Sequence, residues 1–239
     1  MARVLITGST EGLGRAAAEE LLRRGHEVVV HARNADRVPA LDDLVRGGAS
    51  TVVGDLADSG ETRKLAEQVN ALGPMDVVIH NAGVMDGPVL PVNVVAPYLL
   101  TCLLDRPQRS LFLSSGMHTG GRATLADLDW TGRRRTASYS DSKFFLTALG
   151  LVVARTLPDV QCQIVDPGWV RTRMGGRGAP GNLESGIRTQ VRLATDSAVG
   201  ETGGYWYHER RTSPDPRTED RALQDALVEA LATHTGLHL

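Results

Sequence analysis

The sequence predicts an α/β fold: one domain over residues 1–239, with a doubly wound parallel sheet of about seven strands and helices on both faces. Three observations point to it. Short β-branched or aliphatic runs alternate with helical stretches along the chain, the pattern of right-handed βαβ units. The first run, Arg3-Val4-Leu5-Ile6, enters the glycine turn Thr7-Gly8-Ser9-Thr10-Glu11-Gly12-Leu13-Gly14 and then a helical pattern. Residues able to do chemistry fall just after the runs, where the carboxyl ends of parallel strands meet ligands.

Leu13, Ala17, Ala18, Leu21 and Leu22 give the first helix an apolar face, and Gly25 stops it. A strand, glycine turn and helix in that order let backbone approach a pyrophosphate, whose charge sits at the helix N-terminus. Val28-Val29-Val30 is the second strand. Its exit, His31-Ala32-Arg33-Asn34, offers no acid to a ribose 2′-hydroxyl, whereas Arg33 suits a 2′-phosphate. NADP(H) is therefore the preferred dinucleotide, with NAD(H) possible; a solvated loop charge is the other reading of Arg33, with Asp36 close by. Residues 36–47 read as a helix, Ser50–Val53 as a strand, 60–72 as a helix and 76–80 as the fourth strand. Asp55-Leu56 follows the third strand and Asn81-Ala82-Gly83 the fourth. Arg109–Leu113 is the fifth strand and leads into Ser114-Ser115-Gly116. A helix carries Tyr139 and Lys143 to Leu157, where Pro158 breaks it. Residues 160–165 form the sixth strand, leaving through Asp166-Pro167-Gly168-Trp169, and 203–207 a seventh. The last helix, 219–233, has acidic residues in its first turn and Gly236 beyond its end.

Composition narrows the function classes. Basic residues (26) and acidic residues (28) nearly cancel, so no charge draws the chain to nucleic acid or to an anionic membrane. Arg133-Arg134-Arg135 is a short solvated run. Cys102 and Cys162 lie in apolar contexts and read as reduced core thiols, and no metal-ligand spacing is present. No apolar run approaches the ~20 residues that span a bilayer, and no charged-then-apolar leader precedes Arg3. The expected location is the cytoplasm.

Tyr139 and Lys143, four apart, share one helix face. An ammonium beside a phenol favours the phenolate, so the spacing predicts a Tyr139 pKa below its ordinary value of about 10. A tyrosine so tuned exchanges a proton with a substrate oxygen near neutral pH. Taken alone, the pair reads first as a solvated surface contact. Its place in an ordered set changes that: Thr-Gly-x-x-x-Gly-x-Gly, Asn-Ala-Gly, Ser-Ser after strand five, Tyr-x-x-x-Lys, and Pro-Gly after strand six. Along essentially its whole length the chain resembles the short-chain dehydrogenase/reductase family in its single-domain, Rossmann-like form. The stretch between Ser115 and Tyr139 is similar to the retinol-dehydrogenase-like and carbonyl-reductase branch.

The resemblance implies an oxidoreductase that interconverts a carbonyl and an alcohol on a small molecule. Tyr139 would be general acid in reduction and general base in oxidation, and Lys143 would bind the nicotinamide ribose and lower the Tyr139 pKa. Ser115, rather than Ser114, would hold the substrate oxygen, and Asn93 would hold a relay water. Gly8, Thr10, Gly12, Leu13 and Gly14 would cradle the pyrophosphate, with Asp55 and Leu56 at the adenine and Asn81, Ala82 and Gly83 on the adenosine side. Pro167, Gly168, Val170 and Thr172 would face the nicotinamide, Thr172 its carboxamide. A homodimer or homotetramer is the implied assembly. Asn81 and Asn93 stand unusually close for the family, and Gly87-Pro88 and Pro91 interrupt what should be helix, which predicts a shortened segment and a wider mouth.

Residues 171–198 read as a substrate lid, glycine-rich at first and then amphipathic, with Leu183, Ile187, Val191 and Ala194 on one face. Its arginines (Arg171, Arg173, Arg177, Arg188, Arg192) read as a solvated face more readily than as an anion site, and Trp169 and Met174 are candidate pocket walls. His118 reads as a loop residue. The competing reading of the chain is a catalytically silent, dinucleotide-binding redox sensor or regulatory protein, which would have no use for Ser115, Tyr139 and Lys143 together.

Overall fold

In the computed structural model, which describes residues 1–196 and 199–239, the chain alternates strand and helix as the periodicity predicts. The order is β1 (Arg3–Ile6), α1 (Gly12–Arg23), β2 (Glu27–Ala32), α2 (Asp42–Arg46), β3 (Ser50–Val53), α3 (Ser59–Ala71), β4 (Val77–His80), α4 (Ala96–Leu103), β5 (Arg109–Leu113), α5 (Tyr139–Thr156), β6 (Gln161–Asp166), α6 (Leu183–Thr195), β7 (Gly204–Tyr207), β8 (Arg210–Thr212) and α7 (Arg221–Thr235). The strands form one sheet in the order β3-β2-β1-β4-β5-β6-β7-β8. Pairing is parallel as far as β7, and β8 returns antiparallel along its edge. The order reverses between β1 and β4, and a crevice opens at the carboxyl ends of the strands at such a switch point.

Burial on both faces explains the composition of the central strands. In β1, Val4 and Ile6 face α1 and α6, while Leu5 faces α3 and α4. Phe112 and Cys162 belong to the core beneath α5, which Leu227 and Leu231 of α7 extend. Cys102 and Cys162 are both free thiols. No helix among the described residues is long and apolar enough to cross a membrane.

Four elements differ from the sequence expectation. Pro39 has no N–H to continue a helix, so residues 36–47 divide into a 3-10 turn, Ala35–Leu41, and the single turn α2. Pro91 has a similar effect before α4, where a π turn, Pro91–Val95, contains Asn93. The hairpin to β8 turns through His208 and Glu209, both at positive φ (46° and 63°), without the Asn-Gly signal usual for such turns. The last helix begins only at Arg221, and Asp220 caps it from outside by accepting from the backbone N–H groups of Ala222 (2.8 Å) and Leu223 (3.3 Å).

The helix expected as part of a lid, α6, packs Ile187, Val191, Leu193 and Ala194 into the core against α1. Ser197 and Ala198, the end of the expected lid segment, lie outside the described residues.

Candidate active site

At the switch point the glycine turn is clamped from two sides. Asn81, at the exit of β4, donates its amide to the carbonyls of Thr7 (2.8 Å) and Gly8 (3.1 Å), and the Ala82 N–H donates to Thr7 Oγ1 (3.0 Å). His31, near the end of β2, accepts from the Gly8 N–H at Nδ1 (2.9 Å) and donates from Nε2 to the Gly54 carbonyl (2.8 Å). That pair of bonds fixes the tautomer with its proton on Nε2, and burial lowers the His31 pKa. The glycines are needed. A Cβ on Gly14 would lie 2.3 Å from Asn81 Nδ2, and one on Gly8, at φ 68°, would lie 2.9 Å from Ala82 Cα. Bare backbone thus lines a cradle at the N-terminus of α1, and these residues fit a dinucleotide pyrophosphate. Thr172 stands across it, its Cγ2 lying 3.5 Å from where a Gly12 Cβ would be.

Around the cradle, Leu13 packs against the core beside α6, and Leu56 is buried. The Asp55 carboxylate accepts from the Ala57 N–H (2.9 Å) in its own turn. Arg33 is exposed and forms no hydrogen bond or ion pair among the described residues. Sequence reading overlooked Arg37, which the 3-10 turn brings back to the glycine turn: its guanidinium donates to Thr10 Oγ1 (3.2 Å) and pairs with Glu11 (3.3 Å).

The second half of the site is built on α5. Its start is set by a reciprocal cap in which Ser138 Oγ accepts from the Asp141 N–H (3.1 Å) and Asp141 Oδ2 accepts from the Ser138 N–H (2.8 Å). Burial raises the Asp141 pKa, but the backbone N–H groups of Ser138 and Arg122 outweigh this and hold it below the ordinary carboxylate value. Such a cap contributes about 1 kcal/mol and makes Tyr139 the first residue of the helix. Lys143 follows one turn later, its Nζ 5.6 Å from the centre of the Tyr139 ring. That ammonium is buried and donates to the Leu113 carbonyl at the end of β5 (2.6 Å).

The two serines after β5 part company. Ser114 is buried, and its hydroxyl hydrogen-bonds Thr147 Oγ1 at 2.6 Å. Ser115 is half-buried and its side chain reaches Tyr139. Asn93 is fully buried, with its carboxamide engaged by both the N–H and carbonyl of Val84 (2.8 and 2.9 Å) and by Ser142 Oγ (2.8 Å). Gly83 has Asn93 and Lys143 on either side, at 3.4 and 3.5 Å from the place of a Cβ.

The electrostatics overturn one expectation. Tyr139 is not pulled down by Lys143. Burial pushes it up to about 12, contact with Ser115 opposes this, and the charge of Asp166 adds to it. Burial also lowers Lys143 to about 8, with Asp166 opposing. Taking a phenolate out of water costs more here than the buried Lys143 ammonium returns, so Tyr139 holds its proton at neutral pH.

His118 is no loop histidine. It is buried, its Nδ1–H donates to the Ser115 carbonyl (2.8 Å) and lies 3.2 Å from the Tyr205 hydroxyl, and its Nε2 accepts from the Asp215 N–H (2.9 Å). The turn carrying Ser115 is thereby tied to β7 and to the segment before α7. Beyond β6, Pro167 and Gly168 lead to Val170, which bridges Gly181, and to Thr172, which accepts from the Gly175 N–H (2.9 Å). Three arginines of this segment are engaged by carboxylates. Arg173 pairs with Glu11 (3.7 Å), Arg188 with Glu184 (3.1 Å) and Arg192 with Glu209 (3.8 Å).

Comparison with known proteins places the sequence and the fold. A sequence model of the family described as short chain dehydrogenase matches residues 2–97. The chain is similar to the short-chain dehydrogenase chyC of Penicillium rubens, at 39% identity over 100% of this chain and 99% of that protein. It is also similar to retinol dehydrogenase 13 of Homo sapiens, at 30% identity over 98% and 84%. Among solved structures, the carbonyl reductase Sniffer of D. melanogaster shares the fold, with a TM-score of 0.71 at 22% identity over 87% of this chain and 97% of that one.

Proposed function

The chain belongs to the short-chain dehydrogenase/reductase family, and from that premise we propose that it is an NADP(H)-preferring oxidoreductase interconverting a carbonyl and an alcohol. One constellation carries the reading: the Ser115 side chain against the Tyr139 hydroxyl, with Lys143 one helical turn away. Bound in the cradle, the nicotinamide cofactor supplies or accepts the hydride. The chain's own residues orient the reactants and move a proton. Ser115, whose hydroxyl faces Tyr139 and accepts from the Met117 N–H (3.2 Å), is assigned to the substrate oxygen, and Ser114 is committed to Thr147. A Tyr139 that keeps its proton suits the reductive direction, where it serves as general acid to the oxygen as charge develops there. Lys143 and Asn93, meeting at Gly83, are assigned to the ribose and to the proton path. Arg33 and Arg37 supply the positive charge for a 2′-phosphate. Any closure over substrate is assigned to residues 171–182, since α6 is held in the core.

The test is Tyr139→Phe, which removes one oxygen and keeps the ring. Turnover of a carbonyl panel with NADPH falls about 100-fold or more, while NADPH binding, followed by its fluorescence, is unchanged. Turnover comparable to the parent protein would remove Tyr139 from the chemistry.

A further inference from the structure

Among the described residues, five of the nine exposed large apolar side chains lie at or beyond the carboxyl ends of parallel strands, the other four being Met1, Val45, Leu72 and Leu183. Met85 follows β4, Met117 follows β5, Trp169 and Met174 follow β6, and Tyr207 ends β7. All five leave the carboxyl ends of parallel strands, which is the mouth of the site. Scattered surface hydrophobes need no explanation, but an apolar rim on a concave site marks what the site binds. Trp169 is 63% exposed, and its indole N–H donates to the Gly175 carbonyl (2.8 Å), which holds the ring at the rim.

The floor carries a charge. Asp166 ends β6, beside the exit of β5, where the Ser114 N–H donates to the Val165 carbonyl (2.7 Å); on its other side it pairs with Tyr207. It is buried, and its Oδ1 accepts from the Gly168 N–H (2.9 Å). Oδ2 turns toward Gly116, next to Ser115, 3.1 Å from where a Cβ would be, so no side chain at that position screens it. Among the described residues Asp166 forms no ion pair. Its charge is felt by Lys143, whose ammonium donates to the Leu113 carbonyl, while Arg173 pairs with Glu11 and Arg217 with Asp215.

We propose that this pocket takes neutral ketones with a bulky apolar body and rejects carboxylate-bearing ones, and that Asp166 is the residue that sets the charge preference. The proposal rests on the oxidoreductase reading. A substrate carbonyl held by Ser115 and Tyr139 brings its neighbouring substituent to the Asp166 carboxylate. Two like charges in one partly desolvated pocket repel strongly. An apolar body, in contrast, gains by covering the rim.

The experiment uses matched pairs that differ by one charge: ethyl benzoylformate against benzoylformate, and ethyl pyruvate against pyruvate. The expected kcat/KM ratio of ester to acid is about 100 or more, and Asp166→Asn, which keeps the Gly168 bond, lowers it about tenfold by improving the acid. The benzoyl ester has a lower KM than the pyruvyl ester. An ester-to-acid ratio near one, a ratio unchanged in D166N, or equal KM values for the two esters would overturn the proposal. If D166N does not fold, the ratio of the unaltered protein still decides. Dissociation constants from tryptophan quenching with NADP⁺ present measure the same preference without turnover. Selective binding with no turnover of any pair would count against the reductase reading and leave the pocket preference standing.

Discussion

Replacing His118 by Phe tests whether the Ser115 turn is held from β7 and the segment before α7. The variant removes the ring donor to the Ser115 carbonyl (2.8 Å), which keeps the backbone N–H of residue 118 (3.0 Å), and leaves the Asp215 N–H without its acceptor (2.9 Å). The orphaned N–H costs about 1–3 kcal/mol and the lost bond to Ser115 about 0.5–1.5 kcal/mol, or about 1.5–4.5 kcal/mol together. At roughly 2–4 °C per kcal/mol for a chain of this length, the Tm falls by about 3–18 °C. Lost packing alone would do part of this, so two further variants separate the effects. His118→Asn places an amide N–H where Nδ1 stood and restores the bond to Ser115; His118→Gln reaches Asp215 instead. Thermal melts and steady-state kcat on one ketone are then compared. Asn recovers kcat more than Gln does, and NADPH binding is unchanged in both. A Phe variant with the parent's Tm and kcat, or recovery of kcat by Gln alone, would refute the positioning role.

Two other predictions concern charge. Arg33→Ala weakens NADPH by about 10- to 150-fold, the worth of a charge-assisted contact of ~1.5–3 kcal/mol, and leaves NADH nearly unaffected; equal losses for both cofactors would remove the 2′-phosphate role. Lys143 falls from its ordinary 10.5 to about 8 through burial, so the folded protein bears the cost of a buried ammonium below about 8. That cost is relieved as pH rises from about 8 toward 10.5, where the folded state has released the proton and the unfolded state still holds it. Lys143→Met therefore melts above the parent at pH 7, by a margin that narrows at pH 10, while losing turnover. A lower Tm at pH 7 would mean that the bond to Leu113 outweighs desolvation.

Much of the fold was legible locally. Seven strands, the glycine turn and the end of α5 at Pro158 follow from residue periodicity and from what glycine and proline do to backbone, and a window of a dozen residues contains that information. The pairing of Tyr139 with Lys143 was legible for the same reason, since i,i+4 spacing fixes one helix face once Ser138 and Asp141 cap the helix. The eighth strand was not, because its turn uses His208 and Glu209 at positive φ with no residue that prefers it.

What the tertiary structure alone decided is which distant groups meet and how much water they lose. His31 reaches Gly8 and Gly54, Arg37 returns to Thr10, His118 joins Ser115 to Asp215, and Asp166 comes beside Gly116, in each case through sheet order rather than chain proximity. The direction of the Tyr139 shift belongs here too. Spacing predicted a neighbouring cation, and the cation is there. The sign is nevertheless set by desolvation, a sum over every group packed around the phenol, most of which come from other parts of the chain.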